Sequence, residues 1–425
     1  SSELGGLAAK IKKTLEGDDV GAFVKDLVEK VRGNKNIQVI TDAVVADHSG
    51  MPGLFRTGIQ RGPQMAYRQI DHGVTVLATG ALANRPKEYF LGENEAVITQ
   101  LDLDRLLEEN PDRIKSLKRV VMIQCVGSRI PENPNCSRVC CQAAIKNALR
   151  ILELNPEAKI FVLYRDMRTY GFQEDYFRLA REKGVIFSRY DLDQKPRVEK
   201  AGAKIAVAFL DPVLGMEVSV ETDLLALSAG FIADDESTED LAAIFHLPRT
   251  GDGYFLEEHV KLRPVDLPVP GFLVAGTAHS PRGIRESIAQ GLAAAGRAKA
   301  MLAQDVINLG ASVARVDGEK CAACLICVRA CPYNVPFINA DGYSQIDPAK
   351  CRGCGICVKA CPIGAIDLAL SDDSGGDSAH RKKLAVLEED LCLGCGVCYA
   401  ACRKDAIRMK PRAKRVFTPE GTLDR

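Results

Sequence analysis

The chain has 425 residues, room for two to three domains at about 150 residues each, and balances 56 Lys+Arg against 56 Asp+Glu. A level charge leaves no global field to hold nucleic acid or an anionic membrane surface. No stretch approaches the roughly 20 apolar residues of a spanning helix, so neither nucleic acid nor a membrane span is expected.

The first residue is Ser1 and no charged-then-apolar signal segment follows it, so the chain is expected to begin inside a longer polypeptide rather than after a removed leader. A helical pattern runs from Val20 to Val31 and is stopped by Gly33 and Asn34 ahead of an apolar strand, Ile37 to Ile40. Strand-like pieces continue through Ile59 and Tyr67, and the run Val74 to Ala78 ends in Thr79-Gly80-Ala81. Strand and helix then alternate: strand Val120 to Gln124, helix Ser137 to Leu154, strand Lys159 to Tyr164, helix Gln173 to Lys183, strand Val185 to Ser188. That βαβαβ order predicts a parallel, doubly wound α/β unit.

Hairpin strands are expected from Val198 onward, turning around Asp211-Pro212 and Leu214-Gly215, before the apolar run Leu224 to Ser228. A last strand, Gly271 to Ala275, leads through Gly276 and Pro281-Arg282-Gly283 into a helix near Ser287 to Ala303 that is rich in Ala and Gly. Such a helix packs closely on a sheet, and its N-terminus offers free N–H groups to an anion or an electron-rich ring edge. The texture changes near residue 312, after which short loops and cysteines dominate, with a polar linker from Ser371 to Ser378.

Cysteine is the compositional outlier at 16 residues, grouped in fours, with none between 142 and 320. Disulfide staples belong to small secreted chains without adequate cores, which this chain is not, so thiolate ligation in a reducing cytoplasm is the expectation. Cys321, Cys324, Cys327 and Cys331-Pro332 have the spacing C-x2-C-x2-C-x3-C-P, and Cys351, Cys354, Cys357 and Cys361-Pro362 repeat it. Three closely spaced thiolates hold three irons of one cubane, and the fourth, ahead of the proline, reaches the other cluster. One cluster is then expected on Cys321, Cys324, Cys327 and Cys361, the other on Cys351, Cys354, Cys357 and Cys331. A zinc site uses four thiolates and would leave the third and fourth cysteine of each repeat without a role.

A third repeat, Cys392, Cys395, Cys398 and Cys402, carries Arg403 in place of the proline. Either Cys402 closes its own cluster, or repeats two and three exchange ligands and repeat one stands alone. The 31-residue step from Cys361 to Cys392, against 20 from Cys331 to Cys351, favours pairing one with two. The remaining quartet, Cys125, Cys136, Cys140 and Cys141, occupies a strand-to-helix turn where a dinucleotide-binding unit would carry G-x-G-x-x-G. That fingerprint is absent throughout the chain, and four thiolates stand where a nicotinamide cofactor would dock. The plain alternative makes Cys140 and Cys141 buried helix residues; another makes them a redox-active pair in a flavin-dependent disulfide reductase.

The quartet, together with Arg168-Thr-Tyr-Gly-Phe172, Leu227-Ser-Ala-Gly230 and Ala275-Gly-Thr-Ala-His-Ser-Pro-Arg-Gly283, closely resembles the A-type subunit of heterodisulfide reductase over essentially Ser2 to Leu370. The resemblance implies a thioredoxin-reductase-like flavoprotein core followed by a ferredoxin-like α+β iron–sulfur domain. It implies the division 1–118 with 195–312 as the remaining FAD domain, 119–194 as a Rossmann-like unit carrying a 4Fe–4S cluster in place of NAD(P), 313–370 as a two-cluster ferredoxin-like domain, and 371–425 as linker and third repeat. About four 4Fe–4S clusters and FAD are the cofactors it implies. It also implies an electron-transfer, electron-pair-splitting oxidoreductase subunit working with other redox subunits and a ferredoxin or a hydrogenase- or formate-dehydrogenase-type donor. For the flavin, Gly5-Gly6 resembles the turn passing the isoalloxazine, Thr79-Gly80 the strand end that packs on the cofactor, and Gly276 the glycine of the second FAD motif. Thr277 stands where thioredoxin reductase has an aspartate, and Arg285, Glu286 and Ser287 match the helix start facing the flavin's pyrimidine edge. The Gly-rich unit for the FAD pyrophosphate is missing, so the site is incomplete in this chain and a separate chain is expected to supply it, unless the module is a non-flavin electron relay.

Overall fold

A computed structural model describes residues 1–370 apart from 202–203, 305–311, 332, 334, 347–350, 352 and 363. The third cysteine repeat and the linker before it lie outside the described residues. The chain divides into two units, Ser1–Ile307 and a second beginning at Asn308.

In the first unit, Asp19 caps α1 (Val20–Gly33) by accepting the Ala22 N–H. An antiparallel meander follows: β1 (Ala43–Met51), β2 (Leu54–Arg61) and β3 (Ala66–His72). Ile37 to Ile40, expected as a strand, is outside it, because the ladder opens only at Ala43 opposite Arg61, where β2 ends. Next come β4 (Thr75–Leu77), β5 (Leu82–Ala83) and β6 (Val97–Thr99). A capping box between Thr99 and Asp102 starts α2 (Gln100–Glu109), and α3 (Pro111–Lys115) follows. The alternating region then gives β7 (Arg119–Ile123), α4 (Cys140–Leu154), β8 (Lys159–Tyr164), α5 (Glu174–Glu182) and β9 (Ile186–Arg189). The helix expected from Ser137 starts three residues later, since Arg138 adopts a left-handed φ of 62° that no helical turn accepts.

A second antiparallel meander, β10 (Arg197–Ala201), β11 (Lys204–Asp211) and β12 (Met216–Thr222), turns where Asp211 accepts the N–H groups of Val213 and Leu214. It is followed by β13 (Leu224–Leu227), β14 (Phe231–Ile232), α6 (Asp235–Phe245), β15 (Phe272–Val274) and α7 (Ile284–Leu302).

The central sheet is all parallel, in the order β6-β13-β7-β8-β9. It takes in Val97–Thr99 and Leu224–Leu227, both outside the 119–194 stretch that the sequence division sets apart. The pleat sorts its side chains. Val120, Met122, Leu224 and Ala226 pack with Leu103, Ile114, Ile145 and Ala148 from the helices, while Val121, Ile123, Leu225 and Leu227 pack with Ile205, Val207, Phe209 and Val220 of the meander. Helices therefore cover one face and an antiparallel sheet the other, a layering that strand–helix alternation does not predict. With both faces dry, the carboxyl ends of the strands are where polar groups gather.

In the second unit, β16 (Ser312–Val316), α8 (Ile326–Ala330), β17 (Pro336–Ile338), β18 (Ser344–Ile346), α9 (Ile356–Ala360) and β19 (Ile366–Leu370) alternate, and β16 pairs antiparallel with β19. Two short helices and two short hairpin-like sheets give the expected α+β ferredoxin-type layout.

One buried ionic cluster ties the first unit together. The Asp104 carboxylate, 3% exposed, accepts from Lys146 Nζ at 2.8 Å and from Arg150 at 3.1 Å, and from the Lys12 backbone N–H at 2.8 Å. Removing one partner of a buried pair strands the other charges at a cost of about 3–5 kcal/mol. Asp104→Ala is expected to lower unfolding stability by about that amount, read by denaturant unfolding.

Candidate functional site

The chain leaves the sheet at Cys125. Gln124 still donates its N–H to the Leu163 carbonyl, but Cys125 has a φ of 59°, and Gly127, Arg129 and Arg138 are also left-handed. These positive-φ positions wind residues 125–139 into a compact loop that returns to the start of α4, where Cys140 and Cys141 sit in the first turn. The Arg138 N–H donates to Cys136 Sγ at 3.3 Å, the Arg129 guanidinium reaches Cys125 Sγ at 3.9 Å, and Cys141 Sγ lies 3.6 Å from the Asp166 carbonyl. Arg129 is itself held by Asp166 at 2.5 Å.

The four sulfurs feel one another. Burial pushes the Cys140 thiol well up, and charge on Cys141, Cys125 and Cys136 adds to it. The Cys141 thiol is pushed up to about 11, first by burial and then by Cys125 and Cys136. Burial also raises Cys125, with Arg129 pulling back. Such crowded thiols become thiolates when a metal supplies positive charge, so this donor set fits an iron–sulfur group. Among the described residues no three cysteine, histidine or carboxylate side chains converge as on a single ion; a cubane asks for a wider set, each thiolate on its own iron. A disulfide between the adjacent Cys140 and Cys141 would close a strained eight-membered ring and leave Cys125 and Cys136 without a role. Cα atoms of neighbouring residues are about 3.8 Å apart, closer than disulfides usually place them.

Gly230, with a φ of 71°, closes the quartet from β13's side. A Cβ there would sit 2.0 Å from Ser137 Oγ and 3.3 Å from Cys140 Sγ, and Ser137 Oγ accepts the Phe231 N–H at 2.8 Å. Sequence reasoning attached no role to Gly230, Ser137 or Arg129; the one available signal was the Leu227-Ser-Ala-Gly230 motif.

Beside the quartet lies a cavity of about 310 Å³. Cys140, Lys146, Ser228 and Gly230 wall it on one side, Arg282 to Glu286 at the start of α7 on another, and Leu7, Ile11 and Leu15 supply apolar surface. Arg282 is fixed by His279, whose Nδ1 accepts from Arg282 and from Gln290 at 2.8 Å each while its Nε2 meets Glu257 at 2.9 Å. Two donors at Nδ1 assign the ring proton to Nε2. This network too was invisible in the sequence, because Glu257, His279 and Gln290 follow no spacing rule.

The residues expected at a flavin separate into groups. Arg285 and Glu286 line the cavity; Arg285 is ion-paired with Glu16 at 3.2 Å, and Glu286 holds Arg138 at 2.5 Å and accepts the Gly283 N–H. Gly80 (φ 86°) and Gly276 (φ 69°) end the parallel strands β4 and β15. Thr277 Oγ1 lies 3.8 Å from where a Gly80 Cβ would be, and Ser287 Oγ 3.9 Å from that of Gly276. Two left-handed glycines whose nearest neighbours are hydroxyl-bearing side chains suit a cofactor passing close to the backbone, and the exposed Thr79 precedes one of them. Gly5 is explained without any ligand: its Cβ would meet Val24 of α1 at 2.9 Å, whereas Gly6 has nothing within 4 Å.

In the second unit, Cys321, Cys324, Cys327 and Cys361 line one cavity, and Cys331, Cys351, Cys354 and Cys357 line another. The crossed sets are those the repeat spacing predicts. Left-handed Leu325 and Gly355 start α8 and α9, which put Cys327 and Cys357 in matching first turns. The Ser344, Gly353 and Ala365 N–H groups donate to Cys321, Cys351 and Cys361 sulfurs at 3.2, 3.4 and 3.3 Å. N–H donors aimed at sulfur are what a thiolate-bound cluster needs to spread its negative charge.

The second unit is a ferredoxin-type domain: the 4Fe-4S dicluster domain family matches residues 314–362, and a second match of the same description covers 350–406. Over much of its length the chain is similar to the second A-type iron–sulfur subunit of the CoB–CoM heterodisulfide reductase of Methanopyrus kandleri, at 37% identity over 60% of this chain and 41% of that protein. It is also 34% identical to the A-type subunit of the H2/formate:CoB–CoM heterodisulfide,ferredoxin reductase of Methanococcus maripaludis, over 64% of this chain and 44% of that one. The chain thus spans about two fifths of the length of these curated relatives, and the similarity covers less of it than the stretch 2–370. Among solved structures, thioredoxin reductases from T. acidophilum and Lactococcus lactis align with 71% of the chain at 15% and 14% identity and TM-scores of 0.47 and 0.48, covering 87% and 89% of those chains.

Gly230→Ala is expected to displace Ser137 and Cys140 and so lower iron content by about four per chain, leaving the second unit's iron in place. Iron analysis of the purified variant against the parent reads this directly.

Proposed function

We propose that the chain is an electron-transfer subunit holding FAD and iron–sulfur clusters in a cytoplasmic, heterodisulfide-reductase-like oxidoreductase complex. The observation that carries the reading is the shared wall of the 310 Å³ cavity: one side is the quartet residue Cys140, the other the N-terminus of α7. When bound, FAD and the clusters supply two-electron and one-electron chemistry.

The chain's own residues bind, orient and insulate. Cys125, Cys136, Cys140 and Cys141 hold one 4Fe–4S cluster, and the crossed sets of the second unit hold two more. Cys392, Cys395, Cys398 and Cys402, outside the described residues, hold a fourth. Leu7, Ile11 and Leu15 exclude water from one side of the cavity, while Arg282 and the α7 N-terminus present positive charge to an electron-rich ring edge. Gly80, Gly276, Thr277 and Ser287 line the route a flavin tail would take. No acid–base or nucleophilic side chain is assigned. The partners proposed are other redox subunits and a ferredoxin or a hydrogenase- or formate-dehydrogenase-type donor; the relatives' names, which join H2 or formate to a heterodisulfide and ferredoxin, support this choice.

Two measurements test the reading. Anaerobic reconstitution is expected to give about 16 irons per chain, four for each cysteine set, and Cys125→Ser about 12. Reconstitution with FAD, alone and with the partner redox subunits, is expected to retain one yellow flavin per chain. Stoichiometric iron without any retained flavin would instead identify a non-flavin electron relay.

A further inference from the structure

Two buried polar side chains stand at the carboxyl end of the central sheet with nothing to bond. Both amide atoms of Gln124 and the hydroxyl of Ser228 are closed off from solvent and lack a hydrogen-bond partner; the residues are 0% and 1% exposed. Buried polar groups in native proteins are nearly always paired, and each exception requires an explanation.

The pleat places both on the helix-bearing face. Val120 and Met122 share a core with α4, and Gln124 is the next position on that side, its N–H still on the ladder to Leu163 at 2.9 Å. On β13, Leu224 and Ala226 share the same core, and Ser228 follows, its N–H on the Ile123 carbonyl at 2.9 Å. Because Leu227 is in register with Ile123, Gln124 and Ser228 are neighbours across adjacent strands. The first turn of α4, above that end of the sheet, carries Cys140 and Cys141. Gln124 adjoins Cys125 in the chain, Ser228 shares the cavity wall with Cys140, and a Cβ at Gly230 would lie 3.3 Å from Cys140 Sγ.

We propose that the Gln124 carboxamide N–H and the Ser228 hydroxyl donate hydrogen bonds to the sulfur shell of the cluster on Cys125, Cys136, Cys140 and Cys141 and raise its reduction potential. This rests on the reading of the quartet as a 4Fe–4S site. Donors at sulfur offset the negative charge that arrives with an electron and so favour the reduced form. Gln124 Nε2 and the Ser228 hydroxyl are unpaired because their acceptor is the cluster and not another part of the chain; Gln124 Oε1, also without a partner, takes no part in these bonds.

The test uses the full chain, cluster-loaded, as parent, Gln124→Leu and Ser228→Ala. The electron paramagnetic resonance signal that Cys125→Ser lacks identifies the quartet's cluster for redox titration. In each variant, iron is expected to stay at the parent level while the reduced fraction of that cluster at fixed potential falls about tenfold, equivalent to about 59 mV for one electron. Resonance Raman Fe–S stretches of that cluster are expected to shift. The metal-free Gln124→Leu protein is expected to melt above the metal-free parent, since an unpaired amide is gone. Full iron with unchanged potential and Raman bands overturns the proposal, and so does a metal-free Gln124→Leu that melts at or below the parent, the result expected if buried water already satisfies the amide. If Gln124→Leu does not fold, Ser228→Ala, a single-atom deletion, decides by the same potential. A parent in which Cys125→Ser removes no iron defeats the cluster reading itself, a result separate from unchanged potentials in loaded protein.

Discussion

Burial of the central sheet on both faces is the constraint from which the rest of the first unit follows. Val120, Val121, Met122 and Ile123 are all 0% exposed, as are Leu224 to Leu227, so no polar chemistry can sit along these strands. It is confined to their carboxyl edge, where the ladder stops and backbone groups become available. There the left-handed turn at Cys125 sends the chain outward, and the loop brings Cys136 back to α4, whose unprotected N-terminus carries Cys140 and Cys141. An ordinary dinucleotide site uses glycines at this turn to let a pyrophosphate approach. The same geometry here is occupied by sulfur.

The cavity beside the quartet is held in shape by ion pairs among residues of its own wall. Asp104 draws the backbone of Lys12 and the side chains of Lys146 and Arg150 to one point, which holds the segment bearing Ile11 and Leu15 against α4. Arg285 adds a second tie, to Glu16. The apolar wall is therefore pinned by charge at both ends, and the polar wall by the His279 network. Stability and site shape are coupled through the same few ion pairs.

Much of this was legible in the sequence. Strand–helix alternation from Arg119 gave the parallel sheet with Lys159 to Tyr164 placed to the residue, because short apolar runs between amphipathic helices admit few other readings. The crossed cysteine sets were legible because ligand spacing is a local property. The face-covering meander was not: β10 to β12 alternate like any half-buried hairpin, and nothing local says which surface they cover. Ile37 to Ile40 failed as a strand for a related reason, since pairing depends on what lies opposite. Arg129 and Gly230 were missed because their contacts are made across the fold, Arg129 with Asp166 and Gly230 with Ser137 and Cys140, and the pairing of Gln124 with Ser228 depends on strands β7 and β13, about a hundred positions apart in the chain.

The crossing of cysteines in the second unit bears on how such a domain comes into being. Each cavity borrows its last sulfur from the other repeat, Cys361 for one and Cys331 for the other. Neither half is self-sufficient, so a ribosome that has released only the first repeat has made no complete cavity, and the two must close together once Cys361 emerges. Loss of either repeat would open both cavities, so the two halves can be kept or lost only together.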